Sequence, residues 1–512
     1  MAPLNVTPTR RFHEAAGSVE TYSPAEEQFN RRRRTTGLIL APVVFAIMLV
    51  APLPLAPVPH RMGAILAMVV VLWITEAIPI TVTAFVGPVL AVVLGVADAR
   101  AALAPFADPI IFLFIGSFIL AEAMFVHALD RRIAFTALSW RAVGTSAGRI
   151  LIVYGAVGTA LSMWISNTAT TAMLFPIGLS VLAHLQRSGV RIRTFALAMM
   201  LMTSFGPSVG GMATPVGTPP NLIGIGMLER ITGADITFFQ WMAVGVPAVV
   251  LVYAFVAALF YFTSARGVDV GQGSTELVRA ELAKLGPMSR GQRNVVIAFA
   301  VTIILWVAPG IFAIAGLEHT RFARGYSVAV PEGIAAMLGA FLLFVLPVDW
   351  RSRRFTLSWD EAVRIDWGIV FLYGGGLAMG TLAFSTGLAE AMGRGITSLL
   401  PSHSSFALTL LFTGSAIVLS ETTSNTASAN MIVPIAIAVA QAAGVRPIEP
   451  ALGATLGASM GFMMPISTAP NAIVYSSGYV PITAMMRYGV MLDLAAFAII
   501  VSVVLLLGPI VF

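Results

Sequence analysis

The chain has 512 residues, 58% of them hydrophobic and 11% charged, with no cysteine and a formal net charge of +6. A soluble domain carries roughly 25% charged residues, so this composition, with a mean hydropathy of +0.89, is that of an all-α polytopic membrane protein. The missing cysteines exclude disulfides, zinc thiolate sites and Fe–S clusters, and basic residues scattered between apolar runs exclude a nucleic-acid groove despite a pI near 10.0.

Residues 1–36 are polar and end on four arginines at 31–34. This lead is too long for a signal peptide, and the apolar run after it has no small-residue cleavage site. The expectation is a poorly ordered cytoplasmic tail whose arginines anchor the topology. Membrane spans and an interfacial helix are predicted over 37–147, with spans at 37–56, 61–80, 82–97 and 109–130. The segment DRRIAFTALSWRAVG is short and basic with an apolar face, which fits a helix lying in the membrane interface. A first unit over 148–263 contains an apolar stretch at 148–186, a broken span at 194–227 and a span at 239–263. A cytoplasmic linker follows at 264–291. The order then repeats: scaffold spans at 292–313, 331–348 and 367–385 with an interfacial helix within 292–403. A second unit over 404–512 holds a stretch at 404–442, a broken span at 448–478 and a last span at 486–511.

The stretches 148–186 and 404–442 contain LSMWISNTATTAMLFPI and LSETTSNTASANMIVPI, which share Leu-Ser, Ser-Asn-Thr-Ala, Met and Pro-Ile at the same offsets. Each stretch could span twice, but polar tips at that depth fit re-entrant hairpins, since irregular backbone inside a membrane survives only when buried in protein or lining a wet cavity. That makes eleven spans plus two hairpins. With the amino terminus inside, 23 Lys and Arg fall on the cytoplasmic side and 7 outside, which supports a cytoplasmic amino terminus and a periplasmic carboxyl terminus in a bacterial inner membrane. An odd number of spans separates the hairpins, so the halves should be inverted, an arrangement typical of secondary transporters.

Each hairpin has a broken helix downstream, at GTPPN (217–221) and at STAPN (467–471). Proline removes a donor and clashes with the preceding turn, so the helix must stop there. Freed carbonyls suit a hard cation, and exposed helix amino termini suit an anion. Asn and Thr offer donors and acceptors without fixed charge. Glu76 reads as a scaffold cap or ion-pair partner, and Glu421 as a group that tunes the second cation site or makes a structural hydrogen bond. Glu122, His127 and His184 read as interfacial or packing residues. No His and carboxylate cluster has metal-ligand spacing, and GTPPN lacks the Gly-Lys-Ser/Thr of a nucleotide loop. An enzyme would need an activated nucleophile or a metal, and neither constellation is present.

WITEAIPI, FLYGGGLAMG, the paired Ser-Asn-Thr tips and the paired breaks together resemble the divalent anion/sodium symporters, the INDY-type carriers of C4-dicarboxylates, citrate and sometimes sulfate. The resemblance covers roughly residues 37–512. It implies an elevator-type homodimer importing a divalent anion such as succinate with sodium, each protomer having a scaffold domain (37–147 and 292–403) and a moving transport domain (148–263 and 404–512). It also implies one sodium site at Ser162, Ser166, Asn167 and Gly217, and a second at Ser420, Thr423, Asn425 and Ser467. The anion would meet Asn167, Thr168, Thr218 and Pro219 from the first half, and Asn425, Thr426, Thr468 and Ala469 from the second. Ala469 replaces a common Pro, and Ser420 a common Thr, without removing a ligand type. A sodium-independent exchanger and a sulfate symporter on the same fold are the rival readings.

The inverted layout has a direct check in this cysteine-free background. A cysteine replacing Ser188 should react with an impermeant thiol reagent only from the cytoplasmic side, and one replacing Ser402 only from the periplasmic side. Labelling of both from one face rules the layout out.

Overall fold

Lipid offers the backbone no hydrogen-bond partner, so long apolar segments close their hydrogen bonds within themselves as helices. The computed structural model describes residues 24–140, 146–187, 193–266 and 273–512, and it is helical nearly throughout. The helices are α1 (Pro24–Val50), α2 (Pro57–Thr75), α3 (Ile80–Val93), α4 (Pro109–Val126) and the short amphipathic α5 (Leu129–Leu138). The stretch expected as the first unit holds α6 (Ala147–Ser162), α7 (Asn167–Arg187), α8 (Arg193–Gly210), α9 (Pro219–Thr232) and α10 (Phe238–Phe260). Then come α11 (Arg290–Ile314), α12 (Glu332–Val345), α13 (Trp367–Ser385) and α14 (Leu388–Thr397). The second unit repeats the succession as α15 (Ser405–Thr422), α16 (Asn425–Ala442), α17 (Ile448–Gly457), α18 (Ala469–Tyr475) and α19 (Ile482–Val511).

Nine helices among the described residues are long and apolar enough to cross a membrane, or ten when Arg321–Ala329 and α12, bent by 67°, count as one span. The expected eleven differ for identifiable reasons. The span predicted at 82–97 is only the short α3. The broken span at 448–478 divides into α17 and α18, each too short alone. Conversely, α15 has the length and hydropathy of a span although it lies in a stretch expected to form a hairpin. The expected tail also differs: α1 starts at Pro24, so the arginines at 31–34 stand on a helix continuous with the first apolar run. Arg33 there pairs with Glu76 at 2.6 Å, which places the predicted partner of Glu76 in the segment expected to be disordered. Residues 1–23 lie outside the described residues, as does Ser188. A two-stranded hairpin, Pro347–Asp349 against Arg354–Phe355, was not expected.

Both hairpins break at the Ser-Asn tip, between α6 and α7 and between α15 and α16. The prolines ten residues on, Pro176 and Pro434, lie inside the return arms. In each unit the ascending arm lies along the first half of the broken helix, α6 on α8 and α15 on α17. Small residues permit this closeness. A Cβ on Gly210 would fall 2.1 Å from the Thr159 carbonyl, and one on Gly457 would fall 2.8 Å from the Thr413 carbonyl. The second halves cross over. α9 packs on α16 and α17, while α18 packs on α7 and α8, so each broken helix ends against the other unit.

Candidate ion and substrate site

The two tips and the two breaks carry hydroxyls, amides and backbone, but no Lys or Arg. In the first unit, the buried Ser162 donates its Oγ to Asn167 Oδ1 at 2.7 Å. Asn167 opens α7, capped by Ser166, whose Oγ accepts from Ala169 N at 3.2 Å. The break beneath is held by Asn221, whose amide donates to Gly211 O at 2.9 Å and to Thr214 O at 2.7 Å. Gly211 is the meeting point. A Cβ there would sit 2.4 Å from Asn167 Oδ1 and 3.1 Å from Gly217 O. Ser162, Asn167 and Gly217 therefore converge on one spot, while Ser166 is occupied in capping.

The second unit repeats this at equal offsets. Ser420 Oγ donates to Asn425 Oδ1, again at 2.7 Å, and Ser424 caps α16 through Ala427 N at 3.2 Å. Asn471 donates to Gly461 O and Met464 O, both at 2.9 Å. A Cβ on Gly461 would lie 3.1 Å from Asn425 Oδ1. Thr218 and Thr468 precede α9 and α18 with nearly the same extended backbone, φ −149° and ψ 144° against φ −146° and ψ 149°.

The other residues expected at the second ion site turn elsewhere. Thr423 Oγ1 donates back to Leu419 O at 3.0 Å and faces Ser428 Oγ at 3.3 Å. Ser467 Oγ lies 2.8 Å from Glu421 Oε2 and 3.0 Å from Glu421 O. Glu421 is 2% exposed and accepts from Phe462 N and Met463 N, the latter at 2.9 Å. Its carboxylate thus ties the hairpin arm to the second break. Of the residues expected to face the anion, Asn167, Thr168, Asn425, Thr426, Pro219 and Thr468 are half-buried, Thr218 is buried and Ala469 is exposed. His127 Nε2 lies 2.6 Å from Thr356 O, a packing contact. The side chain of His184 lies outside the described residues.

Gly211, Gly461, Ser204 and Asp493 were not singled out from the sequence. The two glycines carry a signal in retrospect: each stands ten residues before the Asn that closes its break. Ser204 Oγ on α8 donates to Asn471 Oδ1 at 2.6 Å, a buried bond between the units.

Paired helix breaks and, among the described residues, nine helices long and apolar enough to cross a membrane are those of a polytopic membrane protein. The family model described as the sodium:sulfate symporter transmembrane region matches residues 32–512, and the chain belongs to that family. It is 33% identical over 483 residues to the sodium-dependent dicarboxylate transporter SdcS of Staphylococcus saprophyticus, covering 92% of this chain and 91% of that protein. It is 33% identical over 487 residues to SdcS of Staphylococcus aureus, covering 93% and 91%. Among solved structures, the Alcanivorax borkumensis YdaH transporter superposes with a TM-score of 0.52 at 13% identity, covering 93% of this chain and 97% of that one, a likeness of fold.

The Ser204–Asn471 bond should be measurable as stability. Ser204→Ala leaves Asn471 Oδ1 buried without its donor, at a cost of about 1–3 kcal/mol. A lower melting temperature of the purified protein in detergent is the expected readout, and an unchanged one would mean that the bond does not hold the units together.

Proposed function

We propose that the protein is a secondary active transporter that imports a small divalent anion, a C4-dicarboxylate such as succinate, driven by sodium. The observation that carries this reading is the duplicated junction: Ser162 on Asn167 and Ser420 on Asn425, both at 2.7 Å, each over a glycine of a proline-broken helix. Amide, hydroxyl and carbonyl oxygens gathered at one point are the donors a hard monovalent cation takes. The amino termini of α7 and α16 next to them carry partial positive charge that favours a carboxylate. Two such poles suit an anion with a carboxylate at each end. The sodium-dependent dicarboxylate activity named for the staphylococcal relatives supports the same assignment.

On this reading, Ser162, Ser166, Asn167 and Gly217 serve one sodium and Ser420, Thr423, Asn425 and Ser467 a second. Thr423 and Ser467 would have to turn from their present partners to reach Asn425, so the second shell closes only when the ion enters. Asn167, Thr168, Thr218 and Pro219 would face one carboxylate, and Asn425, Thr426, Thr468 and Ala469 the other. The units, inverted relative to each other, would move as one body against the scaffold of a homodimer, an elevator motion.

Asn167→Ala and Asn425→Ala each remove an oxygen from an ion shell. In proteoliposomes, each should raise the sodium concentration needed for half-maximal succinate uptake, by roughly tenfold if one such contact is worth about 1–1.5 kcal/mol. An unchanged sodium midpoint in both variants favours the sodium-independent exchanger. Sulfate competing more strongly than succinate would move the substrate to the inorganic anion.

The two poles make a second prediction. A monocarboxylate leaves one pole unpaired, so butyrate should compete against labelled succinate roughly tenfold to a hundredfold more weakly than succinate itself. Thr168→Val and Thr426→Val keep the shape and delete a hydroxyl, and each should narrow that gap. Equal competition by butyrate and succinate in the unaltered protein excludes a two-pole site.

A further inference from the structure

Three successive glycines of α13, Gly374, Gly375 and Gly376, point three ways, since neighbours on a helix stand about 100° apart. A Cβ on Gly374 would fall 2.6 Å from Phe106 Cδ1, and one on Gly375 would fall 2.3 Å from the Ala84 carbonyl of α3. The third notch holds a polar group. A Cβ on Gly376 would fall 1.8 Å from Asn430 Oδ1 and 2.8 Å from Asn430 Nδ2. Asn430 stands on α16, one turn beyond Thr426, and is 4% exposed. Neither its amide nitrogen nor its amide oxygen has a hydrogen-bond partner among the described residues. What faces it is the glycine methylene, which offers at most a weak C–H contact.

An amide buried in this way destabilises the fold through both its donors and its acceptor. The local sequence pattern does not demand it, because the matching position after the first Ser-Asn-Thr is Ala172. The α13 face that receives it has room further along. A Cβ on Gly380, one turn on, would come no nearer than 3.6 Å to Met227 Cε and 3.9 Å to Pro434 Cβ. Glycines at 376 and 380 also leave the backbone of α13 uncovered, and each helix carbonyl keeps a second lone pair. On the elevator reading above, on which this inference rests, α16 moves and α13 stands still. We propose that Asn430 is a positioning residue for that movement: its amide is unpaired in this structure and bonds the uncovered backbone of α13 once α16 has shifted along it. The amide then disfavours the present position and favours the other, so it sets how the carrier divides between them.

A cross-link reads that division. Met227→Cys with Gly380→Cys, in the cysteine-free chain, places two thiols where a short bifunctional reagent joins α9 to α13 in the present position. Adding Asn430→Ala to this pair should speed cross-linking in proteoliposomes by about fivefold or more, the effect of removing one unpaired amide group, and should slow succinate uptake. Where Asn430→Ala fails to fold, Asn430→Ser gives the same readout, because a helical serine bonds its own backbone. Unchanged cross-linking overturns the proposal whatever the uptake. Slower cross-linking overturns it too, since Asn430 then holds the present position as a packing residue. The elevator reading is judged separately, on the pair without the Asn430 substitution: uptake that persists through the closed cross-link overturns that reading, and uptake that stops on cross-linking and returns on reduction upholds it.

Discussion

Two helices are broken inside the protein, and each break exposes carbonyls that water cannot reach. An unsatisfied buried polar group costs about 1–3 kcal/mol, so a break of several residues survives only if something in the chain replaces water. Asn221 and Asn471 do this. Each amide spends both its N–H bonds on carbonyls at the same two offsets, ten and seven residues back. That fixes the path of the break, and the path fixes Gly211 and Gly461 against the hairpin asparagines. The tips, the glycines and the exposed helix ends all follow from one amide in each half.

The two halves solve a neighbouring problem differently. In the first, Thr214 Oγ1 donates to Met163 O, just before the tip. The matching position in the second break is Met464, which has no hydroxyl. There Ser467, opposite Gly217 in the first break, donates to the backbone of Glu421, opposite Met163. The same carbonyl is therefore satisfied from three residues further along, and the exchange brings a carboxylate into the second half alone. A repeat that is regular in backbone has become asymmetric in charge. There Asp493 of α19 is hydrogen-bonded to Glu421.

Much of this was legible because polar residues in an apolar chain are costly and hence conspicuous. The doubled Ser-Asn-Thr and the Pro-Asn breaks marked where four helices are interrupted. The ends of α3 and α17 were not legible, because hydropathy continues past the point where the backbone turns. The arginines at 31–34 read as tail because their helix is stabilised from outside, by Glu76 more than forty residues on. Asp493 escaped notice for a similar reason. One acid in an apolar helix has no local signature, and what makes it consequential is Glu421, seventy-two residues earlier. Gly211 and Gly461 are two among 46 glycines, and only the amide offsets distinguish them.

The proposed site contains no fixed positive charge, and this constrains how it would work. The ends of α7 and α16 each supply about half an elementary charge at most, so they cannot neutralise a dianion in a water-excluded cavity. Cations at the tips would supply the rest, and the anion would in turn favour their binding, since linkage between two ligands is reciprocal. The geometry gives this coupling a route. Asn167 and Asn425 each open a helix at a proposed ion shell, so one side chain would face both ligands. An arginine in the same place would bind the anion without sodium and remove the requirement for both. The absence of basic side chains from the tips and breaks is therefore what a coupled carrier would need, and Ser, Asn and Thr would serve it by offering donors and acceptors without a fixed charge.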